Sequence, residues 1–539
     1  MPRHPSAHRA ALLGLLCLPA LASRCDDATP DSEAPRDTGL DSFWDTTEVL
    51  GIPNLDDDDE NAVADWEDTA HGDDDDLATL TVPAAVLADA GGSLALTLTG
   101  TGIRVWLDGA VLLDAEHPTA TLAGEEARLL RIEFEDFLLS GTLGISGGDR
   151  SLDVALLSSP LVLNHHLQAG TMLYVIALSA MGYSNAAMVA DLQEILGEER
   201  VLAAPGNDFG QDVWIQDEIE FAHARAPGLS MEVVIDSIRS QGGRYLDHFA
   251  EDYLVQPGVA VRTWGSGAPN SLDSFGNLEI APPGASGGVD YPLGRIYQGG
   301  SMDLHPSAVL WDFLNAQAVQ APYRPDSTWL CVGHVDEFTS FVPDPSAPRG
   351  FRLLVVDAAL AWALLDSLDP AMAIPKYTSA HHYSTIGELV SDDALRAWNE
   401  DIQRDHIEPE LELYMESMGL DEGDVVRVPG LWEENSWCRN YALALIPGMV
   451  NLAVFTEADA PAKLLIPDPF LRDSDMTQEE DAFLAYWDTL MPQDDERYYL
   501  DDWSVYHEGW GEIHCGTNIR REPGADWWES ARQLLGGEE

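Results

Sequence analysis

The chain has 539 residues, more than one ordinary domain, and 45% of them are apolar, so it has the material for several cores. Asp and Glu number 93 against 28 Lys and Arg, a formal net charge of −65. That balance excludes partners rich in phosphate, such as nucleic acid or an anionic membrane face. It favours cationic ones: metal ions, basic peptides or arginine-like small molecules.

Residues 1–24 read as an export signal. Arg3 and Arg9 open it, Ala10 to Leu21 form an apolar run too short to span a bilayer, and small residues follow up to Ser23. Residues 25–50 form a polar tether. Cys25 at its start is placed like a lipid-acylated cysteine, although Arg24 is a poor residue before such a site. The expected location is therefore outside the cytoplasm: extracellular, periplasmic or lipid-anchored at the cell surface, with membrane contact only through Cys25.

Residues 51–77 hold two aspartate runs, Asp56 to Asp59 and Asp73 to Asp76. Crowded carboxylates on a flexible loop suit calcium, though the spacing is not that of an EF-hand. The plain alternative is a solvated acidic linker. Residues 78–160 alternate apolar and polar side chains between glycine breaks, which predicts a small antiparallel β-domain, a sandwich, with no chemistry of its own.

From residue 161 strand-like and helix-like segments interleave to the end of the chain, predicting a mixed α/β domain over 161–539. Expected strands cover Thr171–Ala180, Leu330–Val332, Phe351–Val356 and Met449–Phe455. Expected helices cover Ser184–Gly197, Pro306–Val319 and Asp392–Met418, the last broken near Pro409.

Three stretches in this half carry chemistry. Trp214 to Glu220 reads WIQDEIE. As a strand it sends Gln216, Glu218 and Glu220 to one face, where they can hold a cation, and Asp217 to the other. Gly333 to Phe338 reads GHVDEF, and His334 and Asp336 would share a strand face, suited to acid/base work and to binding a cation. Tyr506 to Arg521 contains Cys515 between His514 and Gly516, a candidate nucleophile whose bland alternative is a small buried hydrophobe. A cysteine, a histidine and two aspartates from separate segments suit attack on a guanidinium: the carboxylates hold the planar cation, the thiolate attacks its carbon and the imidazole moves protons.

These stretches, with SLDSFGNLEIAPP (271–283), YPLGRI (291–296), VGHVDEFTSFVPDP (332–345), GFRLL (350–354) and HCGTNIRR (514–521), resemble the peptidylarginine deiminases over roughly residues 165–539. The resemblance implies an α+β protein, with a pseudo-fivefold α/β propeller for the catalytic domain preceded by an immunoglobulin-like β-sandwich. It also implies calcium-dependent conversion of arginine in a peptide or protein to citrulline, with loss of ammonia. Cys515 then matches the nucleophile, His334 the acid/base, Asp217 and Asp336 the guanidinium-binding pair, and Trp214 the wall along the arginine stem. One calcium would be held by Gln216, Glu220 and Glu279 with the carbonyls of Phe275 and Leu278, and a second by Glu218 and Asp236 with Ser237 nearby.

In DSIRSQG, Arg239 matches the first of two arginines that touch the substrate backbone, but Gln241 replaces the second and Ser240 an asparagine. Gly509 and Trp510 replace a basic pair near the nucleophile. Free arginine, agmatine or another small guanidine thus stands as an alternative substrate, and a non-catalytic calcium-binding surface protein as the alternative from another class. Of the remaining cysteines, Cys515 is expected free and Cys331 packed in the core, although export leaves a disulfide open.

Overall fold

The computed structural model describes residues 40–536 apart from 59, 62, 68–75, 181, 241–245, 267, 435–436 and 491–495. The expected export signal, Cys25 and Gln241 lie outside the described residues. No helix among those described is long and apolar enough to cross a membrane.

The amino-terminal part is two sheets around one core. A five-stranded sheet joins Glu48–Gly51, Arg150–Ser158, Ser140–Gly147, Ser93–Thr99 and Thr119–Ala123, and a four-stranded sheet joins Ala78–Val82, Arg128–Phe134, Ile103–Leu107 and Ala110–Leu113. The alternation works as expected: in Ser93–Thr99, Leu94, Leu96 and Leu98 are buried while the residues between them face solvent. Leu96, Val105, Ile132, Leu143 and Val154 from both sheets fill the shared core. The unit differs from a purely antiparallel one because Glu48–Gly51, across the end of the expected tether, pairs parallel with Arg150–Ser158.

The rest of the chain is mixed α+β and repeats one plan five times: an antiparallel strand pair, a helix, then a third segment returning parallel to the second strand. Ile219–Ala226 and Leu229–Asp236 pair antiparallel, Phe249–Tyr253 is helical, and Val259–Thr263 returns parallel. Leu278–Ala281 and Arg295–Gln298 are followed by the helix Ala308–Gln317 and a parallel bridge from Tyr297 to Tyr323. Thr339–Pro343 and Phe351–Asp357 are followed by a helical excursion and by Val425–Pro429. Ala453–Phe455 and Lys463–Pro467 precede the helix Ala482–Leu490 and Glu496–Leu500. The remaining unit joins both ends of this region: Gly170–Ala177 pairs antiparallel with Thr517–Arg521, and its helix Ala186–Leu196 leads to the parallel strand Val201–Pro205. A right-handed crossover helix between parallel neighbours is the ordinary way to make such a turn.

Several expected elements change. WIQDEIE is not a strand: Ile215–Glu218 form one helical turn and the strand begins at Ile219. GHVDEF is likewise a tight helical turn, Val335–Glu337, with the Glu337 carboxylate accepting from the backbone N–H groups of Gly333 and His334 at 3.0 and 2.8 Å. These local hydrogen bonds outcompete sheet pairing. Leu330–Val332 makes one bridge, Leu330 to Ala442, in place of a strand. The helix expected to break near Pro409 runs on: Asp393–Ile402 passes through a π turn, Gln403–Ile407, into Glu408–Met418. Pro409 follows directly on the π turn, whose altered hydrogen-bond spacing accompanies the proline in a helix that does not break.

Cys331 is not simply core-packed. It forms a disulfide with Cys438, 107 residues away in sequence. The bond ties the segment before His334 to the loop after Trp432–Glu434. Cys438→Ser is expected to lower the melting temperature of the oxidised protein, a loss of about 2–4 kcal/mol. Calorimetry with and without dithiothreitol checks this: reductant destabilises the parent and leaves the variant unchanged if the tether contributes to stability.

Candidate active site

In each of the five repeats, the residues just before the first strand of the antiparallel pair point to one place. Cys515 precedes Thr517–Arg521, Asp217 precedes Ile219, Gly276 precedes Leu278, His334 and Asp336 precede Thr339, and Asn451 precedes Ala453. They meet around Cys515, beside a cavity of about 290 Å³ lined by Trp214, Asp217, Ser271, His334, Trp510 and Cys515, with the Cys331–Cys438 pair in its wall.

The sheet explains how Cys515 and Asp217 come together. Gly170–Ala177 lies between Val201–Pro205, which leads into the Trp214 turn, and Thr517–Arg521, which follows Cys515. The Gln216 N–H donates to the Cys515 carbonyl at 3.3 Å, and the Asn518 side chain donates to the Ile219 carbonyl at 2.7 Å. The His334 turn is anchored from behind by buried aromatics. Trp329 packs edge-on to Phe338 and Trp432 at 5.5 and 5.1 Å, and the Thr339 hydroxyl donates to the Tyr414 hydroxyl at 3.0 Å.

Among the described residues Cys515 is the free cysteine, and it is buried. Its sulfur lies 3.3 Å from Asp336 Oδ2 and accepts from the Asn451 side-chain amide at 3.2 Å, while the Cys515 N–H donates to Asn451 Oδ1 at 3.2 Å. Asn451 also donates to the Asp336 carbonyl at 3.2 Å, so one amide sets both nucleophile and carboxylate. His334 places Nδ1 3.5 Å from Asp217 Oδ1, and its Nε2 donates to the Ser271 carbonyl at 2.9 Å. A Cβ placed on Gly276 would lie 2.7 Å from His334 Nδ1, 3.0 Å from Asp217 Oδ1 and 3.1 Å from Asp336 Oδ2. Those three groups therefore converge on a single point, as His–Asp–Asp recognition of a planar cation requires.

The electrostatics call for a positive charge there. Burial pushes the Cys515 thiol well above its ordinary range, and the carboxylates of Asp336 and Asp217 push it further. Burial also raises Asp217, against the opposing pull of His334 and Arg239. A guanidinium between the two carboxylates would lower the thiol by cancelling the charge that raises it.

Behind the nucleophile is a second acidic cluster. Glu220, pushed up to about 8 by burial, accepts from Gln216 Nε2 at 3.0 Å, and the same amide lies 3.5 Å from the Phe275 carbonyl. Glu279 is buried and raised well above the usual range, first by burial and then by Glu220 and Asp336; its Oε1 has no hydrogen-bond partner. These expected metal residues thus form one oxygen-rich group, with Leu278 buried next to Glu279. The other expected set is looser. The Ser237 N–H donates to the Glu218 carbonyl at 2.7 Å, and Asp236, raised to about 7 by burial, accepts from Thr263 at 2.9 Å and leaves Oδ1 unpartnered. The helical turn, rather than strand alternation, separates Glu218 from Gln216 and Glu220.

Arg239, matched in the sequence to an arginine that touches the substrate backbone, is engaged with the protein itself. Its guanidinium is turned inward onto Asp212 at 3.1 Å, Glu218 at 3.3 Å and the Trp214 carbonyl at 3.2 Å. Farther away, Asp56, Asp58 and Asp76 of the acidic segment bring ligand atoms within 4.8 Å of one another. Asp56 and Asp76 are buried, and Asp56 Oδ2 accepts from the Gly258 N–H at 2.7 Å.

The sequence reading assigned no role to Asn451, Gly276 or His514. Asn451 and Gly276 share one signal: each stands two residues before the first strand of a repeat. His514 was visible beside Cys515, but its contacts, Asp336 Oδ2 at 2.9 Å and Glu279 Oε1 at 3.3 Å, come from distant segments.

Fold and site together place one buried cysteine beside an imidazole and two carboxylates. The family profile described as Protein-arginine deiminase (PAD) matches residues 150–529, and the chain belongs to that family. Protein-arginine deiminase type-1 of Mus musculus is 34% identical over 388 residues, covering 69% of this chain and 56% of that protein. Protein-arginine deiminase type-4 of Homo sapiens is 34% identical over 346 residues, covering 61% and 49%. The chain thus spans about half the length of the curated relatives it matches. A solved C. jejuni agmatine deiminase covers 67% of this chain and 96% of its own at 10% identity and a TM-score of 0.37, too distant to carry an argument.

Two outcomes are expected. Gly276→Ala forces a methyl group into the point shared by His334, Asp217 and Asp336. Turnover of an arginine substrate should fall by at least about 100-fold, with far-ultraviolet circular dichroism unchanged. The second concerns pH. Glu220 and Asp236 have folded values of about 8 and about 7, above their ordinary 4.5 and 3.8. Both are protonated in either state at low pH; as pH rises the unfolded chain releases its protons first, and folding loses stability until the folded values are passed. In chelator, the melting temperature should therefore fall between about pH 5 and pH 8, as a thermal-shift series in matched ionic strength would show.

Proposed function

We propose that this chain hydrolyses the guanidino group of arginine in peptides or proteins to citrulline, with release of ammonia, and that calcium is required. The convergence of His334, Asp217 and Asp336 on one point next to the Cys515 sulfur carries this reading.

Asp217 and Asp336 hold the guanidinium, and Trp214 walls its stem. As the bound cation cancels the carboxylate charge, the thiol passes its proton to His334 and the sulfur attacks the guanidino carbon. His334 returns the proton to one nitrogen, which departs as ammonia and leaves a thiouronium on Cys515. A water then gives a proton to His334 and its oxygen attacks the same carbon; the C–S bond breaks, yielding citrulline and the restored cysteine. Asn451 holds the sulfur throughout.

Gln216, Glu220, Glu279 and the Phe275 carbonyl are hard oxygen donors, and Glu279 Oε1, which accepts no hydrogen bond although His514 Nε2 lies 3.3 Å away, fits a calcium ligand. Calcium held by these residues would supply the charge that keeps their carboxylates ionised, and Gln216, next to Asp217, would tie that turn to the ion. Glu218, Asp236 and Ser237 are proposed for a second ion, and the Asp56–Asp58–Asp76 group for another.

We read the five repeats as a pseudo-fivefold α/β propeller over 161–539 and the two-sheet unit as immunoglobulin-like. We also place the protein outside the cytoplasm, a reading supported by the Cys331–Cys438 disulfide. The inward-turned Arg239 favours a second substrate reading, a free arginine or small guanidine, because it leaves fewer groups to grip a peptide backbone.

The test is citrulline and ammonia release from a blocked arginine amide and from free arginine, each with millimolar calcium and with chelator. Release from the amide only with calcium is expected, and Cys515→Ala should lower kcat/KM by at least about 1,000-fold. Preference for free arginine would select the small-guanidine reading. Release in chelator would remove the calcium requirement, and no release from either substrate would remove the enzyme reading.

A further inference from the structure

We propose that a second cavity, beside the catalytic one, binds an organic cation: an ammonium or guanidinium group carried on an apolar stem. The proposal concerns binding and holds whether or not the chain turns over arginine.

The cavity has a volume of about 270 Å³. One water or one ion needs only about 10–15 Å³, so this space is sized for an organic group. Leu443, Ala444 and Trp510 supply apolar wall, and Glu337, Glu433, Glu508 and Glu512 supply carboxylates. Among the described residues that line it, none is lysine or arginine. His381 and His507 are the basic groups there, and burial lowers His507 to about 4, so that ring is neutral near pH 7. In a chain of net charge −65 an acidic surface is expected. An acidic cavity is not, because carboxylates taken out of water need a counter-charge.

The four acids are held by hydrogen bonds without being neutralised. Glu512 is 3% exposed. Its Oε1 accepts from the Gly448 N–H at 3.0 Å and from His507 Nδ1 at 2.8 Å. Its Oε2 has no donor, and the side chain that approaches it, Asp502, is another buried acid. Glu337 uses Oε1 for both backbone N–H groups of its turn, which leaves Oε2 without a hydrogen-bond partner among the described residues. Glu433 accepts from His381 Nδ1 at 3.1 Å, and Glu508 accepts from Trp503 Nε1 at 3.2 Å. A cationic head group would supply the missing charge, and its stem would cover Leu443 and Ala444. Trp510 adds an aromatic ring of the kind that holds cations. Its backbone is left-handed, with φ +80°, a costly conformation for so bulky a residue and one that tends to mark a functional position.

The cavity also touches the reacting groups. Trp510 and Gly511 line both cavities. Asn451, in the wall of this one, donates to the Cys515 sulfur, and Glu337 closes the turn that carries His334. A cation bound here would act on both residues through those contacts. The same chemistry has two sources, a second basic side chain on a peptide substrate or a free amine.

The experiment titrates n-butylammonium into the full chain by calorimetry. The parent should bind it. Glu433→Gln/Glu508→Gln, which keeps acceptors for His381 and Trp503, should weaken binding by at least about tenfold. Ala444→Leu, which narrows the cavity without altering charge, should weaken it as well, and Asp217→Asn in the catalytic cavity should not. Equal binding by the parent, the double variant and Ala444→Leu overturns the proposal, as does loss confined to Asp217→Asn or no binding at all. Blocked peptides with lysine or norleucine beside the arginine separate the sources, an arm that rests on the activity proposed above. A lower KM for the lysine peptide, lost in the double variant, assigns the cavity to the substrate, and equal KM values assign it to a free amine. Absence of turnover would count against the activity and leave the calorimetric result standing.

Discussion

A group of carboxylates buried together around one cysteine is the constraint on which the rest depends. Asp217, Asp336, Glu220, Glu279, Glu218 and Asp236 are all buried on segments that meet near Cys515. Left without cations, burial and mutual repulsion hold the acids of Asp217, Glu220, Asp236 and Glu279 toward the protonated state and the thiol far from thiolate. The site is therefore poised against its own chemistry until positive charge arrives. A guanidinium between Asp217 and Asp336 and a metal among the glutamates would each satisfy a different part of that demand. The excess of acid over base in the whole chain is mostly a surface property, but here it is concentrated where it does chemical work.

The fold makes such a concentration attainable. Each repeat begins with a short segment entering its first strand, and five such segments meet. Four contribute one or two polar side chains and the fifth the bare backbone of Gly276, each held by a strand leading out of the turn. No single segment has to bury more than it can anchor. Pairing Thr517–Arg521 with Gly170–Ala177 joins the two ends of this region, so Cys515 and Asp217 become neighbours although nearly 300 residues separate them. The disulfide adds a covalent tie at the cavity wall, in a region where the chain would otherwise be a long excursion.

Much of this could be read from the sequence, and the failures have clear causes. The β-unit followed from strict alternation in runs such as SLALTLT, and the helix Ala186–Leu196 from the spacing of Met188, Leu192 and Ile195. Cys515, His334, Asp217 and Asp336, which the structure brings together, stood out because they sit in compact motifs beside glycines and acids. Their local structure was misread. In WIQDEIE and GHVDEF, alternation of residue type suggested strands, but Glu337 and neighbouring backbone groups close tight turns that no periodicity reports. Asn451, Gly276 and His514 escaped because each acts through a partner over a hundred residues away or through absent bulk. The Cys331–Cys438 pairing was out of reach for the same reason: sequence separation says nothing about which loops line one wall.

The central claim is that the acids behind Cys515 hold protons until a cation displaces them. Calorimetric titration with calcium at pH 7, in buffers of different ionisation enthalpy, counts those protons directly. The account predicts release of about one proton or more per ion bound near the active site, and a smaller release in Glu279→Gln. Calcium binding with no proton release, or release unchanged in that variant, would show that these carboxylates are already ionised in the empty site and contradict the account.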